Sequence, residues 1–173
     1  YAKALRGKVV LVFPGQGGQW GGMGRELLAE SPEFAAIVAA CDRALRPYTG
    51  WSVETVLRGE GPGLEGVEVV QPALFAMAVG LAAVWRKLGI EPGAVVGHSQ
   101  GEIAAAVVSG ALSLEDGARL VAVRSQQVKR LAGSGGMAVV ERPAEEIEAR
   151  LKADWSGLSV AVVNTATSTV VAG

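Results

Sequence analysis

The segment Gly97-His98-Ser99-Gln100-Gly101 lies between the β-branched run Ala94-Val95-Val96 and a small-residue stretch over 103–108, and this placement constrains the fold most. A strand that enters a helix through a serine leaves that serine a tight, strained turn. Glycines two residues to either side let neighbouring segments approach without a clashing Cβ. The hydroxyl then stands over a helix N-terminus, where amide dipoles favour developing negative charge. Ser99 is therefore a candidate nucleophile on an elbow. The alternative is a serine that only shapes a turn, because 24 glycines in 173 residues also produce Gly-x-Ser-x-Gly by chance.

A nucleophilic serine needs an oxyanion hole and a base. The backbone N–H of Gln100, next after the serine, is the expected first donor. The second is expected from a loop after an early strand. The β-rich run over 8–13 ends in Pro14-Gly15-Gln16-Gly17-Gly18, so the Gln16 N–H is the candidate, with a plain glycine turn as the alternative. His98 is the sole histidine. Adjacent residues at a strand end project to opposite sides, so His98 reads as a structural or site-wall residue. The sequence as it stands then supplies no general base.

Arg124 is the second informative position. A helix is predicted from the capping-box-like Ser113–Asp116 start to about Leu131, with Leu114, Val121 and Val128 as its buried stripe. Arg124 lies between the last two, and no acid stands three or four residues away. Arg119 differs, with Glu115 and Asp116 in reach for a surface ion pair. An arginine on an apolar face needs a carboxylate from elsewhere, either a distant Asp or Glu or a substrate carboxylate held by its fork. Gln71, before a buried helix expected over 72–88, and Asn164, in an expected turn between the last two strands, read on pattern alone as turn and cap residues.

These segments fit an α/β core over 1–132, followed after Gly133-Ser134-Gly135-Gly136 by the start of a small α+β subdomain over 133–173 with β-α-β-β order. Half the residues are hydrophobic and the net charge is −1, so no basic surface points to nucleic acid or an anionic membrane. Cys41 is the single cysteine. This excludes an internal disulfide and a multi-cysteine metal site, no metal is expected, and the residue reads as a core hydrophobe on a helix opened by Ser31-Pro32. No segment is expected to be apolar for long enough to span a bilayer. The chain begins with Tyr1, so it is expected to be a piece of something longer or a processed product.

Phe13-Pro14-Gly15-Gln16-Gly17, Gln71-Pro72-Ala73-Leu74-Phe75, Gly97-His98-Ser99-Gln100-Gly101-Glu102, Arg124-Ser125 and Val162-Val163-Asn164 occur in the order and spacing of malonyl-type acyltransferases. From about Lys8 to Gly173 the chain resembles the acyltransferase domains of modular polyketide synthases. The resemblance implies an α/β-hydrolase-like core with the start of a ferredoxin-like subdomain. It implies that Ser99 takes the acyl group of an α-carboxyacyl-CoA and passes it to the phosphopantetheine thiol of an acyl carrier protein. Gln16 and Gln100 amides would form the oxyanion hole, Arg124 would hold the extender carboxylate, and Gln71, His98 and Asn164 would line the site. The domain itself would bind no cofactor, and its partners would be the acyl-CoA, the carrier protein and neighbouring synthase domains, in the cytoplasm. The family's catalytic histidine lies in a later segment, beyond this sequence, so the isolated chain is expected to be nearly inactive.

The stretch Val67-Glu68-Val69-Val70-Gln71 and Gln100 resemble the methylmalonyl-selecting pattern, with malonyl or a longer alkylmalonyl as the alternatives, although Gly66 departs from the polar or charged residue usual before Val67. A serine hydrolase shares the elbow, but a simple esterase needs no buried cation such as Arg124. A non-enzymatic scaffold fragment is the other competing reading.

Overall fold

The computed structural model describes residues 7–173; the expected core over 1–132 begins outside them. The chain folds into two compact units, one ending at Lys129 and the other spanning Arg130–Gly173.

In the first unit, strand β1 (Val9–Phe13) leads through a glycine-rich loop to helices α1 (Arg25–Glu30), α2 (Pro32–Thr49), α3 (Val53–Arg58) and α4 (Val67–Lys87). Strand β2 (Pro92–Gly97), helix α5 (Gly101–Val108) and helix α6 (Leu114–Arg130) follow. β1 and β2 pair in parallel, with Phe13 opposite Gly97. Their C-terminal ends therefore lie side by side, where parallel α/β sheets place their sites. The glycine-rich loop and the serine elbow leave the sheet at this same edge.

α2 starts as its sequence requires: the Ser31 hydroxyl accepts from the Phe34 N–H at 3.2 Å, and Pro32 takes the first helical position, where its missing N–H costs nothing. Phe34, Val38, Cys41 and Leu45 are fully buried. Burial also pushes the Cys41 thiol up to about 12, as befits a core residue. Asp42, beside it, holds the start of α3: its carboxylate accepts from the Val53 N–H at 2.8 Å and from Arg46. The short helices α1 and α3 were not expected from the sequence, since six residues show too little periodicity to stand out.

α4 differs from expectation. It begins at Val67 rather than Pro72, so Pro72 and Gln71 both lie inside it. A proline in a helix interior costs about 3 kcal/mol. Burial of Val69, Val70 and Phe75 gains about 1.5–3 kcal/mol each, so packing outweighs the local break. With 21 residues α4 is long and apolar enough to cross a membrane by length and composition, contrary to the sequence expectation. Ala73, Phe75 and Ala76 are nonetheless fully buried and belong to the core formed with α2.

The second unit contains β3 (Met137–Val140), α7 (Ala144–Asp154), β4 (Ser159–Thr165) and β5 (Ser168–Ala172). The three strands form an antiparallel sheet in the order β3-β5-β4, the arrangement that opens a ferredoxin-like fold. Asn164 lies within β4, not in the turn as expected. The β-branched run Val162, Val163 and Thr165 extends the strand. Thr167 then closes the hairpin, its N–H donating to Thr165 Oγ1 at 3.2 Å.

Candidate active site

Among the described residues Ser99 is the only non-glycine with positive φ, at 54°. That conformation costs about 1–3 kcal/mol and persists only where the surroundings over-determine it. Here the His98 N–H donates to the Phe13 carbonyl at 2.9 Å, tying the turn to β1. Gly101 N–H donates to the His98 carbonyl at 3.0 Å and Glu102 N–H to that of Ser99 at 3.1 Å, starting α5. The flanking glycines are required by space. A Cβ on Gly97 would collide with the Glu102 backbone, and one on Gly101 with the Phe13 and Pro14 carbonyl oxygens. The Ser99 side chain is left exposed.

The glycine-rich loop after β1 touches this turn. A Cβ added at Gly15 would lie 3.3 Å from His98 Nδ1 and 3.4 Å from Ser99 Cβ. Gln100 reaches the same loop from the elbow: its side chain is only 3% exposed, and its Nε2 makes a long 3.5 Å contact to the Pro14 carbonyl. Its Oε1 is buried with no partner. Among the described residues, neither the Gln16 nor the Gln100 backbone N–H donates to a protein acceptor. His98 lies exposed beside Ser99 and makes no hydrogen bond to its hydroxyl, in keeping with a site-wall position.

Arg124 reaches the elbow from α6. Ser99, Glu102, Ile103, Ala106, Leu112, Leu120 and Arg124 line one cavity of about 390 Å³. The buried stripe of α6 is Gly117, Ala118, Val121, Ala122 and Ser125; of the expected stripe Val121 is fully buried, while Leu114 and Val128 are only half-buried. Small residues let the helix pack closely and leave Arg124 half-buried at its margin. Among the described residues Arg124 makes no ion pair; its Nη1 donates to Gln71 Oε1 on α4 at 2.8 Å. Arg119 likewise lacks the expected ion pair. Asp116 instead accepts from the Ser113 hydroxyl at 2.7 Å in the helix cap.

The structure thus brings together Ser99, Gln100, His98 and the Gln16 loop at the sheet edge, and puts Arg124 on the wall of the Ser99 cavity, hydrogen-bonded to Gln71. Asn164 belongs to the other unit, where it is exposed. Glu102 was not singled out from the sequence. Its place in the first turn of α5, directly after the elbow, was the available signal.

Residues 10–173 match the family model for the acyl transferase domain. Polyketide synthase GfsB of Streptomyces halstedii is 54% identical over 170 residues, which are 97% of this chain and 3% of that protein. The acyltransferase domain from module 8 of the salinomycin polyketide synthase superposes with a TM-score of 0.89 at 52% identity, over 96% of this chain and 40% of the other. A loading acyltransferase from the avermectin modular polyketide synthase gives a TM-score of 0.87 at 53% identity, over 95% of this chain and 54% of the other. The chain therefore spans about half, or less, of these acyltransferase structures. With the family model matched over nearly its whole length, the chain belongs to the acyl transferase domain family, among the acyltransferase domains of modular polyketide synthases.

Proposed function

We propose that this chain carries the nucleophile and the carboxylate-binding arginine of an acyltransferase that loads an extender unit onto an acyl carrier protein. The Ser99 oxygen attacks the thioester carbonyl of an α-carboxyacyl-CoA. A serine ester forms, the C–S bond breaks, and CoA leaves as the thiol. The phosphopantetheine thiol of the carrier protein then attacks the ester and restores the Ser99 hydroxyl. Gln16 and Gln100 N–H groups receive the oxyanion, a role supported by their lack of protein acceptors. By family resemblance, a histidine from a later segment moves the proton.

The carrying observation is the shared cavity of Ser99 and Arg124. Among the described residues Arg124 has no carboxylate as a partner, so a substrate carboxylate fits its charge. A plain esterase would have no use for it there. The stretch Val67-Glu68-Val69-Val70-Gln71 and Gln100 support methylmalonyl as the extender. Carrier protein, CoA thioester and neighbouring synthase domains are the partners this reading requires, and it places the reaction in the cytoplasm.

Incubation of the intact acyltransferase domain with methylmalonyl-CoA and a phosphopantetheinylated carrier protein tests the reading. Intact-mass measurement is expected to show methylmalonyl on the Ser99 peptide and then on the carrier, both lost in Ser99→Ala. Labelling that survives this substitution would overturn the nucleophile. Release of free methylmalonate in place of acyl carrier protein would point to a hydrolase.

A further inference from the structure

Two of the side-chain hydrogen bonds between α4 and α6 are sorted by charge. On α4, Glu68 and Gln71 stand one turn apart; on α6, Lys129 and Arg124 meet them. Glu68 accepts from Lys129 Nζ at 2.5 Å, and this ammonium holds the Glu68 carboxyl below the usual carboxylate range. Gln71 Oε1 accepts from Arg124 Nη1 at 2.8 Å. The carboxylate of this helix turn is thus committed to the lysine, and the carboxamide goes to the arginine. Among the described residues, Glu102 is the only acid lining the Arg124 cavity, and it makes no ion pair with Arg124.

The two acceptors differ in their effect on the cation. A carboxamide oxygen anchors one guanidinium N–H but cancels no charge, and Arg has four further donors. A carboxylate at the same place would take the fork bidentately and neutralise it. Gln71 is 6% exposed, so little solvent screens its contact with Arg124. We infer that Gln71 is a specificity-determining residue. As a buried neutral acceptor it fixes Arg124 while leaving the charge to the substrate, and so sets the preference for carboxylated over neutral acyl-CoAs. The inference rests on the reading that Arg124 receives the extender carboxylate.

The test compares acyl-enzyme formation from methylmalonyl-CoA and propionyl-CoA by the intact domain in four forms: wild type, Gln71→Glu, Gln71→Met and Arg124→Ala. Gln71→Glu is expected to lower the methylmalonyl-to-propionyl ratio about a hundredfold, within the range for a competing desolvated charge pair. Gln71→Met keeps the buried volume but loses the acceptor. It is expected to lower methylmalonyl loading about tenfold, the scale of one hydrogen bond to a charged group, and to leave propionyl loading within about twofold. A purely structural role would depress both substrates alike in either variant. If Gln71→Glu does not fold, the Gln71→Met ratio decides alone. Ratios that stay at the wild-type value while Arg124→Ala shifts its own would overturn the inference and spare the Arg124 reading. An unshifted Arg124→Ala ratio would overturn both.

Discussion

Ser99 and Arg124 lie on different elements, an elbow before α5 and the middle of α6, and line the same cavity. The elbow faces the hydroxyl outward, and α6 brings to the same space a cation without a counter-ion among the described residues. A hydroxyl and a guanidinium held by a neutral carboxamide suit an acyl group that carries its own carboxylate. This relationship carries the functional reading.

The elbow depends on the absence of two side chains, which Gly101→Ala tests. The added methyl would meet the Phe13 and Pro14 carbonyl oxygens, backbone atoms that cannot rotate away. Overpacking of this kind costs about 1–3 kcal/mol. Denaturant unfolding of the intact domain is expected to show a loss of that size, with acylation falling further because the turn presenting Ser99 shifts. Unchanged stability and acylation would mean that the turn tolerates a Cβ.

His98 is expected not to act as the base. His98→Ala is expected to retain most acyl-enzyme formation in the intact domain, with the pH at which acylation rises left in place. Loss of that rise, or of several powers of ten in rate as triad members show, would make His98 the base.

Asp42 gives a pH-dependent stability. Burial opposes its ionisation, but hydrogen bonds from Ser52 and Arg46, the Arg46 charge and the Val53 N–H outweigh this and hold its pKa below the ordinary value. A carboxyl depressed in the folded state stabilises fully above its unfolded pKa, about 3.9. The contribution is lost as the pH falls through the lower folded value. Asp42→Asn is therefore expected to lose about 1–3 kcal/mol near neutral pH, the cost of disturbing a buried hydrogen-bonded group, and to differ less from wild type in acid. Equal losses across this range in chemical denaturation would show that the Asp42 charge does not matter.

What could be read from the sequence was largely local. The elbow was legible because strand, serine and helix follow one another within a dozen residues, and Ser31 and Ser113 announced their helix caps in the same way. Arg124 was legible as a cation lacking a near acid. Its hydrogen bond to Gln71 was not, since the two are 53 residues apart and meet only when α4 packs beside α6. The start of α4 was misjudged because Pro72 breaks helices by local rules, whereas here tertiary burial overrides it. Asn164 was misplaced because a two-residue turn leaves little polar sequence to mark the end of a strand.

The most direct measurement is the rate of acyl-enzyme formation from methylmalonyl-CoA and from propionyl-CoA, in wild type and Arg124→Ala. Removal of one partner of a desolvated charge pair costs about 2–5 kcal/mol, so methylmalonyl loading is expected to fall steeply. Propionyl loading is expected to hold or rise, because the substituted site no longer contains an uncompensated cation. A methylmalonyl-to-propionyl ratio left unchanged by the substitution, beyond any loss common to both, would contradict the claim that Arg124 reads the carboxylate of the acyl group delivered to Ser99.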